Sequence, residues 1–396
     1  FFSIVAAAGC GGSDATGTTS TTGGGAGGSG GAFPDPVPAF VVDPVIQVSG
    51  TDNQNHDDCR DQICRHNENT DLIVWKGATW LVHRTAESQI LGPNSALHVY
   101  RSTDHGETFT ETARLPAIDQ RDIRDPAFFV VGDELHMKAL ARLAVNSTRD
   151  SNVDTIAMGT STKDGTHWAK LAPIGPETWS FWRVKEQKGV YYSAAYEDGD
   201  KQVVLFSSHD GTSWTMGPVI YDVAKDTPLE TELTFMPSGK LLALVRMDGN
   251  DDELLGDTGR LRTKICWSDP PYSSFSCPDE LDGQRLDGPV SFFHDGRLFV
   301  VARRHIKGID DRKRTALFEI TGDFDHGGKL GVTWWGDLPS AGDTSYAGVA
   351  PIDGDTVLTT WYSGNLEKDE SWSVGMFDVT DIWKATLDFR KLTKAP

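Results

Sequence analysis

The stretch DLIVWKGATWLVHR, residues 71–84, sets two apolar runs on either side of a turn containing Gly77. Apolar arms of this length around a glycine turn read as a β-hairpin. The same design returns five times, in AFFVVGDELHMKAL (127–140), FWRVKEQKGVYYSAAY (181–196), ELTFMPSGKLLALVR (232–246), VSFFHDGRLFVVARR (290–304) and YAGVAPIDGDTVLTTWY (346–362). The turn glycines are Gly77, Gly132, Gly189, Gly239, Gly296 and Gly354, at steps of 55, 57, 50, 57 and 58 residues. Each step is long enough for four strands and their loops, so the repeat predicts an all-β, six-bladed β-propeller over residues 39–396. Helix is scarce, with one turn expected near DIWKATLDF (381–389), and FVVDPVIQV (40–48) reads as a lone strand that could close the ring.

The chain has 396 residues, 38% of them hydrophobic, which suffices for a sizeable core. Its formal net charge of −20 argues against nucleic acid and against a cationic membrane patch. An anionic ligand would need a local arginine cluster. The opening residues FFSIVAAAGC read as the tail of an export signal, and AAGC resembles a bacterial lipobox, with Cys10 as the lipidated residue. Residues 11–38 are mostly Gly, Ser and Thr and read as a flexible tether. The expected location is therefore outside the cytoplasm, on the outer membrane or cell surface with membrane contact only through the lipid, or periplasmic or secreted where the opening stretch is an ordinary signal end. The other four cysteines fall in two close pairs, Cys59 with Cys64 and Cys266 with Cys277. In an exported chain two local disulfides are expected, because no zinc spacing is present. The acidic loop MDGNDDELLGD (247–257) lacks the spacing of a calcium loop and reads as solvated. No cofactor or metal is expected.

A second signature lies between the hairpins: STDHGETF (102–109), STKDGTHW (161–168) and SSHDGTSW (207–214) each hold a tight Asp/Gly turn and a later aromatic. The first resembles the Asp-box of sialidase-type propellers, and the other two are variants with the Asp one place later. These boxes indicate architecture rather than chemistry.

In a propeller the residues before the first strand and after the second strand of each blade's inner hairpin lie at one end, the usual ligand face. Those before are Arg65, Arg124 with Asp125, Trp182 with Arg183, Glu230, Asp287 and Tyr346, and those after include Arg84, Arg246 and Arg303. Their convergence points to a site. The order Arg65, Glu230, Arg246, Tyr346 resembles that of the exo-sialidases, over about residues 44–380. The resemblance implies Arg65, Arg246 and Arg314 as an arginine triad, with Arg303 and Arg304 as competitors for the third place. It implies Tyr346 as nucleophile and Glu230 as its partner, with Glu232 as rival. Arg124, Arg303, Trp182 and Arg183 are expected to contact substrate.

The chemistry needs such residues. A sialic acid carries a carboxylate on its anomeric carbon, which guanidinium groups hold with charge-assisted hydrogen bonds. That carboxylate repels an anionic nucleophile, whereas a neutral tyrosine that yields its proton to a glutamate avoids the repulsion. Two departures stand out. In TAESQILGPNS (85–95) the family's acid/base aspartate falls on Gln89, leaving Glu87 in that loop, or Asp125 from the next blade, to supply the proton. In WYSG (361–364) the glutamate that supports the first arginine in the family is missing. The expected function is thus an exo-sialidase-type glycoside hydrolase, monomeric, acting on sialylated or other acidic glycans. The alternatives are a propeller of this type that binds glycans without turnover and one that binds only proteins.

Overall fold

The computed structural model describes residues 35–49, 59–90, 92–143, 155–197, 201–249, 261–306, 311–324 and 329–392. Cys10 and most of the expected tether lie outside them. Asp35 to Pro38, assigned to the tether from sequence, are described. Arg314 Nε donates to Asp35 Oδ2 at 2.8 Å, and Pro38 lies against Gly336.

Among the described residues, twenty-four strands form six four-stranded sheets, the blades of a propeller. The inner hairpins are His66–Trp75 with Ala78–Ala86, Arg121–Val131 with Glu134–Leu143, Trp179–Gln187 with Val190–Glu197, Pro228–Phe235 with Leu241–Met247, Asp287–His294 with Arg297–His305, and Thr344–Pro351 with Thr356–Ser363. We number the blades one to six in this order. The first two-residue turn, Lys76-Gly77, has φ of 48° and 70°, the double left-handed geometry that matches strand twist. Strand Val41–Val48 pairs with Asp381–Asp388 and completes blade six, closing the ring. Residues 381–388, where a helical turn was expected, are thus a strand. Ile382, Ala385 and Leu387 are buried between strands, and the short helix instead spans Trp372–Gly375.

The apolar core is divided among the blade interfaces. Trp80 and Val82 of blade one meet Phe128 and Met137 of blade two, Leu242 and Leu244 of blade four meet Leu298 and Phe318 of blade five, and Phe299 of blade five meets Trp361 of blade six. Each sheet therefore buries both faces, the condition for a stable ring of separate sheets. The boxes join blades as well. Ser102, Thr162 and Ser208 each accept the N–H of the box glycine, Gly106, Gly165 or Gly211, at 2.8–2.9 Å. Each hydroxyl stands two residues before its Asp (104, 164, 210), so in the two variant sequences the hydroxyl has moved with the Asp. Gly165 sits on the Trp80 ring of the preceding blade, and Gly211 on Phe129.

Cys59 is bonded to Cys64 and Cys266 to Cys277. Such bonds fit an oxidising, extracytoplasmic compartment. No described helix is long and apolar enough to cross a membrane.

Candidate active site

Each inner strand breaks register once near its start. The breaks fall between Glu68 and Asp71, Arg124 and Ala127, Phe181 and Val184, Pro228 and Thr231, Asp287 and Val290, and Ser345 and Gly348. A bulge leaves residues unpaired and re-aims their side chains, and these six hold Asn69, Asp125, Trp182 with Arg183, Glu230, Gly288 and Tyr346. Four of the residues are left-handed, Asn69 (φ 54°), Asp125 (49°), Gly288 (55°) and Tyr346 (47°). For a bulky aromatic this is a strained backbone, of the kind found at functional sites.

Tyr346 Oη donates to Glu230 Oε1 at 2.5 Å, and Arg246 Nη1 donates to Glu230 Oε2 at 2.5 Å and reaches Tyr346 Oη at 3.2 Å. The Trp182 ring stands edge-on to Tyr346, with centroids 5.8 Å apart, and the Arg303 guanidinium lies 5.1 Å from the Tyr346 ring. Gly288 leaves the space the phenol needs, since a Cβ there would lie 2.9 Å from its ring. Burial, reinforced by Glu230, holds the phenol well above its ordinary pKa against the opposing pull of Arg246 and Arg303. The resting site therefore presents a neutral phenol hydrogen-bonded to Glu230.

Tyr346, Glu230, Arg246 and Arg303 line a cavity of about 230 Å³ whose wall also carries Glu68, Asn69, Gln89, Arg124, Asp125 and Arg142. Asp125 makes no hydrogen bond or ion pair among the described residues, and burial raises its pKa despite Lys138 and Arg124 nearby. Arg246 is braced on its far edge by Asp248, at 2.6 and 2.7 Å, so the first carboxylate of the acidic loop read as solvated is a structural partner of the site. Arg303 donates to Thr344 O at 2.7 Å, to Asp343 at 3.1 Å and to Tyr362 Oη at 2.8 Å. The wall thus sets four arginines, Arg124, Arg142, Arg246 and Arg303, among four carboxyl groups, Glu68, Asp125, Glu230 and Asp248.

Several expected residues are elsewhere. Arg65 is 37% exposed and reaches Phe377 O at 3.2 Å, because the bulge places Glu68 and Asn69 at the cavity instead. Arg314 is committed to Asp35 and Asp369, each at 2.8 Å, and its competitor Arg303 occupies the wall. Arg304 pairs with Asp337. Arg183 is bound to Asp71, Thr70 O and Ala347 O and ties blades together near the axis; with Trp182 it borders a small hollow beside Tyr346. Glu87 lies against Cys59, its Oε2 3.7 Å from Sγ, and is absent from the cavity wall. Glu232 is buried against Ser291 and Lys185. Sequence reasoning missed Glu68, Asn69, Arg142, Tyr362 and Trp372 in the wall.

His66, Glu68 and Asp343 are close enough to suggest metal ligands. Arg84 already neutralises Glu68, at 2.5 Å, and Arg303 neutralises Asp343, so a dication would add uncompensated buried charge. Burial lowers the His66 pKa to about 3 and keeps the ring neutral between the two carboxylates.

No family model and no curated protein matches the chain. Solved structures do. A Dyadobacter fermentans protein of unknown function is 15% identical with a TM-score of 0.65, over 88% of this chain and 98% of its own. Trypanosoma rangeli sialidase, in complex with the inhibitor DANA, is 14% identical with a TM-score of 0.59, over 82% of this chain and 55% of its own. A Penicillium chrysogenum alpha-L-arabinanase complexed with arabinobiose is 15% identical with a TM-score of 0.57, over 89% of this chain and 99% of its own. At these identities the likeness is one of fold. It establishes an all-β six-bladed propeller shared with glycan-cleaving enzymes.

Proposed function

We propose that the chain is an exported glycoside hydrolase of exo-sialidase type, which removes a terminal acidic sugar from glycans with retention of configuration. The observation that carries this reading is the buried Tyr346 phenol donating to Glu230 with Arg246 beside both. In the first step Tyr346 Oη bonds to the anomeric carbon and its proton passes to Glu230. The glycosidic C–O bond breaks, and the leaving oxygen takes the Asp125 proton. In the second step water gives a proton to Asp125 and attacks the same carbon, while Tyr346 leaves and recovers its proton from Glu230. Arg246, 3.2 Å from the phenol oxygen, and Arg303, 5.1 Å from its ring, serve the sugar's carboxylate; Arg124 and Arg142 offer further positive charge in the wall. A lipid on Cys10 would tether the propeller to a membrane.

A second reading, glycan binding without turnover, is favoured by Gln89, which lines the cavity and cannot donate a proton usefully. Hydrolysis of a fluorogenic N-acetylneuraminic acid glycoside, with the anomer released followed by NMR, separates the two. Release of the retained anomer supports the hydrolase. Binding of free N-acetylneuraminic acid without hydrolysis supports the second reading.

A further inference from the structure

Three of the six axial bulges hold a non-glycine residue in the left-handed region: Tyr346, Asn69 and Asp125. They belong to blades six, one and two, so Asn69 stands in ring order between the nucleophile and the acid of the proposed reaction. The flanking two have roles in that reaction and Asn69 has none. It nonetheless lines the same cavity and is 6% exposed, and its Oδ1 is buried with no hydrogen-bond partner. An amide oxygen left unpaired in the interior is costly, and among the described buried side-chain atoms without a hydrogen-bond partner it is the one that belongs to a residue lining this cavity.

The position is fixed relative to Tyr346. The neighbouring Thr70 donates through Oγ1 to Tyr346 O at 3.0 Å and accepts the Gly348 N–H at 3.0 Å. Asn69 is therefore held on a rigid element, as a recognition residue must be.

We infer that Asn69 is a specificity-determining residue whose Oδ1 accepts a hydrogen bond from a hydroxyl or N–H of the sugar held between Tyr346 and Asp125. This rests on the glycosidase reading. The sugar's donor would satisfy the orphaned acceptor, and an analogue lacking it would leave that acceptor unpaired in a closed site. The competing role is purely conformational, because asparagine tolerates left-handed backbone better than most residues.

Asn69→Gly separates the two, since glycine keeps the backbone freedom and removes the amide. For the fluorogenic N-acetylneuraminic acid glycoside, KM should rise about tenfold, as for one lost hydrogen bond, with kcat within about threefold. The melting temperature without ligand should stay within about 3 °C of wild type. An unchanged KM, or a melting temperature lower by more than about 5 °C, overturns the inference. If wild type does not hydrolyse that glycoside, the acidic-sugar reading falls separately, and wild type and Asn69→Gly are compared on a glycan array, on the glycans that wild type binds. Loss of that binding in the variant upholds the inference and its persistence overturns it. A wild type that binds no glycan overturns both.

Discussion

The phenol of Tyr346 donates a 2.5 Å hydrogen bond to Glu230 across a sequence separation of 116 residues. Blades six and four meet at this bond on the ring axis, and neither residue has a conformation set by packing alone. Tyr346 is left-handed, its ring faces Gly288, and Glu230 also accepts from Arg246. Tyr346→Phe keeps the ring and removes only the oxygen. Its kcat should fall on the order of 10³-fold or more, while the Kd for N-acetylneuraminic acid changes less than about threefold. Stopped-time fluorescence and calorimetry read the two quantities, and parallel loss of both would assign Tyr346 to packing.

Asp125 sets an expected pH dependence. Its pKa is raised, so the carboxyl stays protonated above the ordinary carboxylate range, and the acid step is lost as pH rises through that raised value. The kcat/KM profile should fall on its alkaline side in wild type, and Asp125→Asn should lose that limb. The variant should also be less impaired with an aryl leaving group, which needs little proton donation, than with a sugar leaving group. An unchanged alkaline limb would place the acid elsewhere.

The arginines divide into two classes. Arg246→Ala should weaken binding of N-acetylneuraminic acid at least about tenfold more than binding of a neutral analogue. Arg65→Ala should leave both within about twofold, since its side chain is half-exposed at the rim. Because Arg246→Ala also strands Asp248 and Glu230, Arg246→Lys should accompany it. This variant keeps the charge and loses the two-pronged bond to Asp248. Isothermal titration with both ligands gives the comparison.

Gly165 and Gly189 share a left-handed backbone, with φ of 81° and 78°, but differ in surroundings. A Cβ on Gly165 would lie 1.9 Å from the Trp80 ring, whereas Gly189 has open space. Gly165→Ala should cost about 2–4 kcal/mol, from strain plus overpacking between blades one and two. Gly189→Ala should cost about 1 kcal/mol, from strain alone. Denaturant melts of the two variants test whether the box acts as a joint between blades.

The fold was legible because the hairpin repeat fixes blade number and the glycine turns fix each hairpin. Closure by residues 41–48 was legible too, since that strand had no partner near it in sequence. The strand at 381–388 was misread as a turn: it lies between residues 356–363 and, on its other edge, a strand from the opposite end of the chain, a pairing that local sequence does not show. In the site, Glu230, Arg246, Tyr346, Asp125 and Arg124 were found from their place at strand ends. Arg65 was misassigned because the bulge was invisible in sequence: it carries the strand inward three to four residues later than the strand start. A signal did exist. Asn69, Asp125, Trp182, Glu230, Gly288 and Tyr346 precede their turn glycines by 8, 7, 7, 9, 8 and 8 residues, so counting back eight from the turn lands within one residue of the axial position.

The central claim is that Tyr346 attacks the anomeric carbon. A fluorinated sialic acid with an activated leaving group should glycosylate the enzyme and then hydrolyse slowly, because fluorine disfavours the oxocarbenium-like transition state. Peptide mapping by mass spectrometry should find one sugar on Tyr346, with none on Tyr346→Phe. A sugar on Glu230 or Asp125, or a wild type that hydrolyses the ordinary glycoside yet never carries the label, would contradict the account.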